Sequence, residues 1–170
     1  KKIKPFPPGH YYKDGEFVTQ DREKAIIYYE KAIELGSSMA ANNLGHMYYS
    51  GNGVEKNGDK AVEYFEKAME LGNGTAASNL GYMYAHGDGV EKSIDKAISY
   101  YEKGIEMGSV ESAFNTGLMY LDGIVVAQDY AKAQEYFLKG YELESADCAL
   151  YLGLIYLRGY GVSIDNQKAL

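Results

Sequence analysis

The chain has 170 residues, a formal net charge of −7, 46% hydrophobic residues and a mean hydropathy of −0.37. Its only arginines are Arg22 and Arg158, so no basic stripe exists to follow a phosphate backbone, and nucleic acid is not an expected partner. A lone cysteine, Cys148, excludes an internal disulfide framework and favours a reducing compartment, while the longest apolar run, Cys148 to Leu157, is half of what direct membrane insertion needs.

From the N-terminus, Lys1, Lys2 and Lys4 read as a solvated tail, and Pro5, Pro7 and Pro8 forbid a regular helix. Residues 1–20 are expected to form an irregular cap or a junction with something upstream, and the absence of an initiator methionine suggests a piece of a longer chain. Gly9, His10, Tyr12, Gly15 and Val18 nevertheless stand in register with Gly45, His46, Tyr48, Gly51 and Val54. A helix over residues 21–36 follows, with Asp21 as its cap.

From there the register repeats every 36 residues without insertion. One column is Gly45, Gly81, Gly117 and Gly153; three residues on come Tyr48, Tyr84, Tyr120 and Tyr156. Behind them follow Gly51, Gly87, Gly123 and Gly159, then Val54, Val90, Val126 and Val162, then Ala61, Ala97, Ala133 and Ala169. A period of this size means stacked units that share a continuous core. One elongated all-α domain is expected, an α-solenoid with repeats at 37–72, 73–108 and 109–144 and a partial repeat at 145–170.

Within one repeat, Met39 to Ser50 places Ala40, Ala41, Leu44, Gly45, Met47 and Tyr48 on one stripe of a helix. Gly51 ends that helix and Val54 turns inward. Asp21, Asn57, Ser93, Asp129 and Asp165 form a column of helix N-caps. The second helix runs to Leu71, burying Ala61, Tyr64, Phe65 and Ala68, exposing Glu63, Glu66, Lys67 and Glu70, and pairing Glu63 with Lys67. Gly36, Gly72 and Gly108 close the second helices; Glu144 breaks the pattern.

Two columns resist a local account. Glycine inside a helix costs about 1 kcal/mol against alanine, so the column of Gly45 implies close backbone approach by a neighbouring helix. Lys24, Lys60, Lys96, Lys132 and Lys168 oppose the dipole of the helix they open; a stem over the seam with its ammonium on a neighbouring carboxylate would explain them.

Chemistry-bearing motifs are absent. Gly51-Asn52-Gly53 and Gly87-Asp88-Gly89 follow a helix instead of a strand, so they are turns and not phosphate loops. His46 and His86 lack a third metal ligand, Cys148 shares a small-residue column with Ala40, Ala76 and Ser112, and no serine, histidine and acid stand in a catalytic order. Asn73-Gly74-Thr75 is a chance glycosylation match. No enzyme, cofactor or metal is expected.

Laid out as A-x-x-x-L-G-x-x-Y-x-x-G-x-G-V, an N-cap, then K-A-x-x-Y-x-x-K-A, the chain resembles the Sel-one-like repeat family, relatives of the tetratricopeptide repeats. The resemblance covers roughly residues 9–170 and is closest in Ala40 to Gly72 and Ala76 to Gly108. Departures are Thr116 for the leucine, Val125 for the second loop glycine, Gly104 and Gly140 for the late alanine, and Glu144. The resemblance implies a right-handed superhelix of antiparallel helix pairs with first helices on the concave side, and an adaptor role. Relatives that tie each repeat with a cysteine pair form a branch to which this chain does not conform.

Most of the eighteen tyrosines, such as Tyr28, Tyr64, Tyr100 and Tyr136, occupy repeat columns and are expected in the core. Asn42, His46, Tyr49, Ser78 and Tyr82 project from the first-helix face opposite the core stripe. The same face further on is apolar: Phe114, Leu118 and Leu121, then Leu150, Leu154 and Leu157. These residues are the expected contact surface for a protein or peptide, for instance an amphipathic helix. The alternative is a repeat segment of a larger enzyme or complex, with this face packed on its own chain or on a fixed subunit.

Overall fold

The structure is a computed structural model that describes residues 16–161. Helices α1 (Glu16–Glu34), α2 (Ser38–Ser50), α3 (Gly58–Glu70), α4 (Gly74–His86), α5 (Ile94–Glu106), α6 (Val110–Asp122), α7 (Tyr130–Glu142) and α8 (Ala146–Arg158) follow one another, with no strand among the described residues. The contacts run in series, α2 on α3, α3 on α4, α4 on α5 and onward, as in an α-solenoid of antiparallel pairs. The calls that fall on residues 1–15 and 162–170, including Asp165, lie outside the described residues.

The expected caps open three second helices: Asn57, Ser93 and Asp129 accept the backbone N–H of Lys60, Lys96 and Lys132 at 2.9, 3.4 and 3.0 Å. The backbone N–H of each cap reaches back to the carbonyl of Tyr48, Tyr84 or Tyr120 at 2.9 Å, which clamps the loop to the first helix. Asp21 differs. Helix α1 starts at Glu16, so Val18 and Asp21 lie within it.

A second row of caps was not anticipated. Ser37, Asn73, Ser109 and Ser145 accept the N–H of Ala40, Ala76, Ser112 and Cys148 and so open α2, α4, α6 and α8. Their own N–H groups bond back to Ala32, Ala68, Gly104 and Gly140, so one residue closes the preceding helix and starts the next. Glu144 enters this turn with φ 64°, the conformation that Gly72 and Gly108 take at the same place.

The glycine column is occupied by side chains, not by a neighbouring backbone as expected. A Cβ on Gly45, Gly81 or Gly117 would sit 2.5–2.6 Å from the ring of Phe65, Tyr101 or Phe137, twenty residues on in the paired helix. The true backbone approach is in the loops, where Gly58 lies against Gly89. The late-alanine departures are compensated across the next seam. Where repeats 37–72 and 73–108 pack Ala68 near Ala76, the next seams set Gly104 against Ser112 and Gly140 against Cys148, smaller against larger in each case. Thr116 is fully buried, with its hydroxyl donating to the Ser112 carbonyl at 2.7 Å.

The lysine column also departs from expectation. Lys60, Lys96 and Lys132 lie over the rings of Tyr48, Tyr84 and Tyr120 at 4.8, 4.8 and 4.9 Å, inside their own unit and not on a carboxylate. Those rings stack on Tyr64, Tyr100 and Tyr136, whose hydroxyls donate to Glu30, Glu66 and Glu102 of the preceding second helix. Tyr64 and Tyr100 are therefore half-buried bridges and Tyr28 is exposed, against the core expectation that Tyr136 alone fulfils. Lys67 pairs with Glu70 at 3.1 Å instead of Glu63.

Shorter side chains link the first helices. Asn79 Nδ2 donates to Asn42 Oδ1 and to His46 Nε2, both at 3.1 Å, and Asn115 Nδ2 donates to Ser78 Oγ at 3.3 Å. In the last unit the same register carries Tyr151, edge-on to Phe114 at 5.3 Å. Because short side chains span first helices while second helices need tyrosine-to-glutamate reach, the first helices form the closer, inner row. The bond from Asn79 fixes His46 as a neutral ring with its proton on Nδ1, and its contact with Phe65 at 5.1 Å desolvates it, lowering its pKa from 6.5.

Three outcomes follow from these contacts. Gly140→Ala should overpack Cys148 and lower stability by about 1–3 kcal/mol, and adding Cys148→Ala should restore most of it; urea denaturation of the cycle gives the coupling. Glu144→Gly should raise the urea midpoint, by about 1 kcal/mol of released left-handed strain. Because the folded-state pKa of His46 lies below its unfolded value of 6.5, the unfolded chain takes the proton first, and the stability the neutral ring gives is lost as pH falls below that value. Between pH 7 and pH 5 the urea midpoint should therefore drop further in the parent protein than in His46→Gln.

Candidate functional site

The eleven residues expected on the first-helix face fall into three columns of the inner row, and the structure separates them by what they touch. Asn42, Ser78 and Phe114 form the column that receives Asn79, Asn115 and Tyr151 of the following helix. Ser78 is accordingly 4% exposed, and this column joins units to one another. Leu150 continues it, 59% exposed, with no such residue against it among the described ones.

In the second column, His46 is held by Asn79, Tyr82 is 44% exposed, and Leu118 and Leu154 are half-buried. In the third, Tyr49 donates to Asp88 Oδ2 at 2.6 Å across the unit boundary, and Lys56 pairs with Asp88 Oδ1 at 2.9 Å. Burial followed by the Asp88 hydrogen bond pushes the Tyr49 phenol up to about 12, and the bonds from Tyr49 and Lys56 hold the Asp88 carboxyl below its usual range. Leu121 packs half-buried on the cluster around Phe137, and Leu157 is 54% exposed.

What the structure brings together is a cavity of about 180 Å³ between α4 and α6. Its apolar lining is Ala85, Leu118, Met119 and Val125, and Tyr82, His86, Tyr101, Asn115 and Asp122 complete it. Leu118 and Tyr82 were expected on this surface; the other residues were not. Val125, one of the departures, is what fits here: as a valine in place of the loop glycine it packs on Ala85, Ala97 and Tyr101 and closes one side. Tyr82 stacks on His86 at 4.2 Å, and His86 Nδ1 contacts the Tyr82 carbonyl at 3.0 Å. A smaller recess beside it touches His46, Tyr49, Asn79 and Tyr82.

A larger cleft, about 450 Å³, opens between α3 and the start of α5, with Asp59, Val90, Lys92 and Lys96 on its walls. Lys96 is already committed to the Tyr84 ring there, and the cleft mixes both signs of charge without a converging set. No helix among the described residues is long and apolar enough to cross a membrane.

The family model of the Sel1 repeat matches residues 9–37, 38–73, 74–109, 110–145 and 146–170. Among solved structures, the chain is similar to a Sel1 repeat protein from Oxalobacter formigenes, at 33% identity and a TM-score of 0.74, over 88% of this chain and 61% of that one. It is also similar to c5321, a protective antigen of uropathogenic Escherichia coli strains with an SLR fold, at 29% identity and a TM-score of 0.70, over 89% of this chain and 33% of that one. Cysteine-rich protein B of Helicobacter pylori is 31% identical with a TM-score of 0.59, over 79% and 97%. The chain thus spans less than two thirds of the first two structures, and no curated protein matches it. Five consecutive repeat matches and an α-solenoid shared with these structures place the chain in the Sel1 repeat family, a family of helical-repeat scaffolds.

Proposed function

We propose that this chain is a non-enzymatic adaptor that binds a partner protein or peptide on the inner face of its solenoid. The observation that carries the reading is the cavity between α4 and α6 beside the exposed ring of Tyr82. A partly exposed aromatic next to a recess sized for one side chain is the arrangement of an anchor site at a protein interface. The family supports it, since Sel1 repeat proteins generally serve as interaction modules without catalysis. An amphipathic helix or an extended segment would fit along α4 and α6. The reading involves no nucleic acid.

A second reading is favoured by Leu150 and Leu157, 59% and 54% exposed on the inner side of α8. They fit a face that packs on another part of a larger assembly, as the preceding unit receives Tyr151 on Phe114.

A photo-crosslinking residue at position 82 should capture the partner in the source organism, whereas the same residue at position 63, on the exposed side of α3, should not. Tyr82→Ala should abolish binding with an unchanged urea midpoint, while Leu150→Asp should leave it intact. Capture from position 63 alone would contradict the inner-face reading, and loss of capture in Leu150→Asp alone would move the interface to the second reading.

A further inference from the structure

Within that inner-face reading, the chemistry of the cavity between α4 and α6 narrows what its partner must insert. Tyr101 lies at the bottom, 2% exposed, its ring seated on Gly81. Its hydroxyl makes no hydrogen bond to a described residue, and since no buried side-chain polar atom among those residues is unpaired, this oxygen is open to the cavity and the water in it. Its column reads Tyr29, Phe65, Tyr101 and Phe137, so packing on the glycine is met equally by phenylalanine, and the hydroxyl is an addition that the packing does not require.

The same cavity is lined by polar groups in which acceptors predominate. The Asp122 carboxylate accepts only the Ile124 N–H, at 2.9 Å, and no cation pairs with it among the described residues. Asn115 gives one Nδ2 N–H to Ser78, which leaves its carbonyl oxygen and a second N–H to offer. His86 Nδ1 faces the Tyr82 carbonyl, which can only accept, so Nδ1 is the donor of that bond. Leu118 and Val125 supply an apolar wall, and Tyr82, with one face stacked on His86, is 44% exposed beside them.

A ligand that suits this set must be rich in donors, cationic, and apolar along its stem. We propose that the cavity takes an arginine side chain of the partner, its methylenes along Leu118 and Val125 and its guanidinium against Asp122, Asn115 and the Tyr101 hydroxyl. Arginine offers five N–H donors in a planar fork and no acceptor, and its plane can stack on an aromatic face. Carboxylates, phosphates and other anions would meet Asp122 and a wall of acceptors, and a leucine would leave every one of those acceptors unpaired.

Acetylated, amidated Ala-Arg-Ala, Ala-citrulline-Ala and Ala-Leu-Ala peptides, titrated into the isotope-labelled full chain and followed by amide NMR, test this. The arginine peptide should give saturable shifts concentrated in residues 82–86 and 115–125, and citrulline, the neutral isostere, should bind about tenfold more weakly or less. Asp122→Asn keeps the turn bond from Ile124 and should reduce arginine to the level of citrulline. Tyr101→Phe should weaken binding several-fold with an unchanged urea midpoint, which shows the hydroxyl at work and not the packing. The proposal is overturned by the absence of saturable shifts, by equal shifts from citrulline or leucine, by arginine binding that Asp122→Asn leaves unchanged, or by shifts scattered over the acidic surface. If crosslinking at position 82 captures a partner while the arginine peptide fails, the inner-face reading stands and the arginine pocket falls.

Discussion

The contact on which the rest depends is an aromatic ring seated on a glycine within each helix pair. Gly45 under Phe65, Gly81 under Tyr101 and Gly117 under Phe137 fix how closely the two helices of a unit approach, because no side chain with a Cβ leaves room for the ring. Helix propensity argues against glycine there by about 1 kcal/mol, and the buried ring more than offsets it: full burial of a phenylalanine is worth about 1.5–3 kcal/mol. With that spacing set, the loop clamps from Asn57, Ser93 and Asp129 to the tyrosine carbonyls fall into the same geometry in each unit.

Adhesion between units uses different means on the two rows. The inner row uses short amide and hydroxyl bonds, Asn79 to Asn42 and Asn115 to Ser78, and the outer row uses tyrosine hydroxyls on glutamates. Small residues meet at the seam itself, and their volumes are matched pairwise, as Gly140 with Cys148 shows. The inner face is therefore not a free surface along its length. The polar residues of the early units are largely spent on cohesion, and what remains open is concentrated between α4 and α6 and along α8.

The sequence made the repeat length, the helix pairing and the glycine ends legible, because these are imposed by backbone geometry that recurs at every 36th residue. Asn57, Ser93 and Asp129 were readable as caps for the same reason, and Ser37, Asn73, Ser109 and Ser145 carried an equal signal that went unread. Contacts between units were harder. Asn42 and Ser78 look like exposed polar residues on a helical wheel, and only the residue 37 positions later shows that they are occupied. The lysine column misled because an ammonium finds a tyrosine face as readily as a carboxylate. The cavity was legible only in part: Leu118 and Tyr82 follow from the wheel, whereas Tyr101, in a column with Tyr29, Phe65 and Phe137, and Val125, in place of a loop glycine, gain their meaning when the two are seen to line one space.

The central proposal is that recognition uses the inner row, whereas the outer row serves cohesion alone. Hydrogen exchange of the full chain with and without its bound partner tests it most directly. The account requires new protection in residues 74–86 and 110–122 and unchanged exchange in residues 58–70 and 94–106. Protection confined to those last two stretches would contradict it.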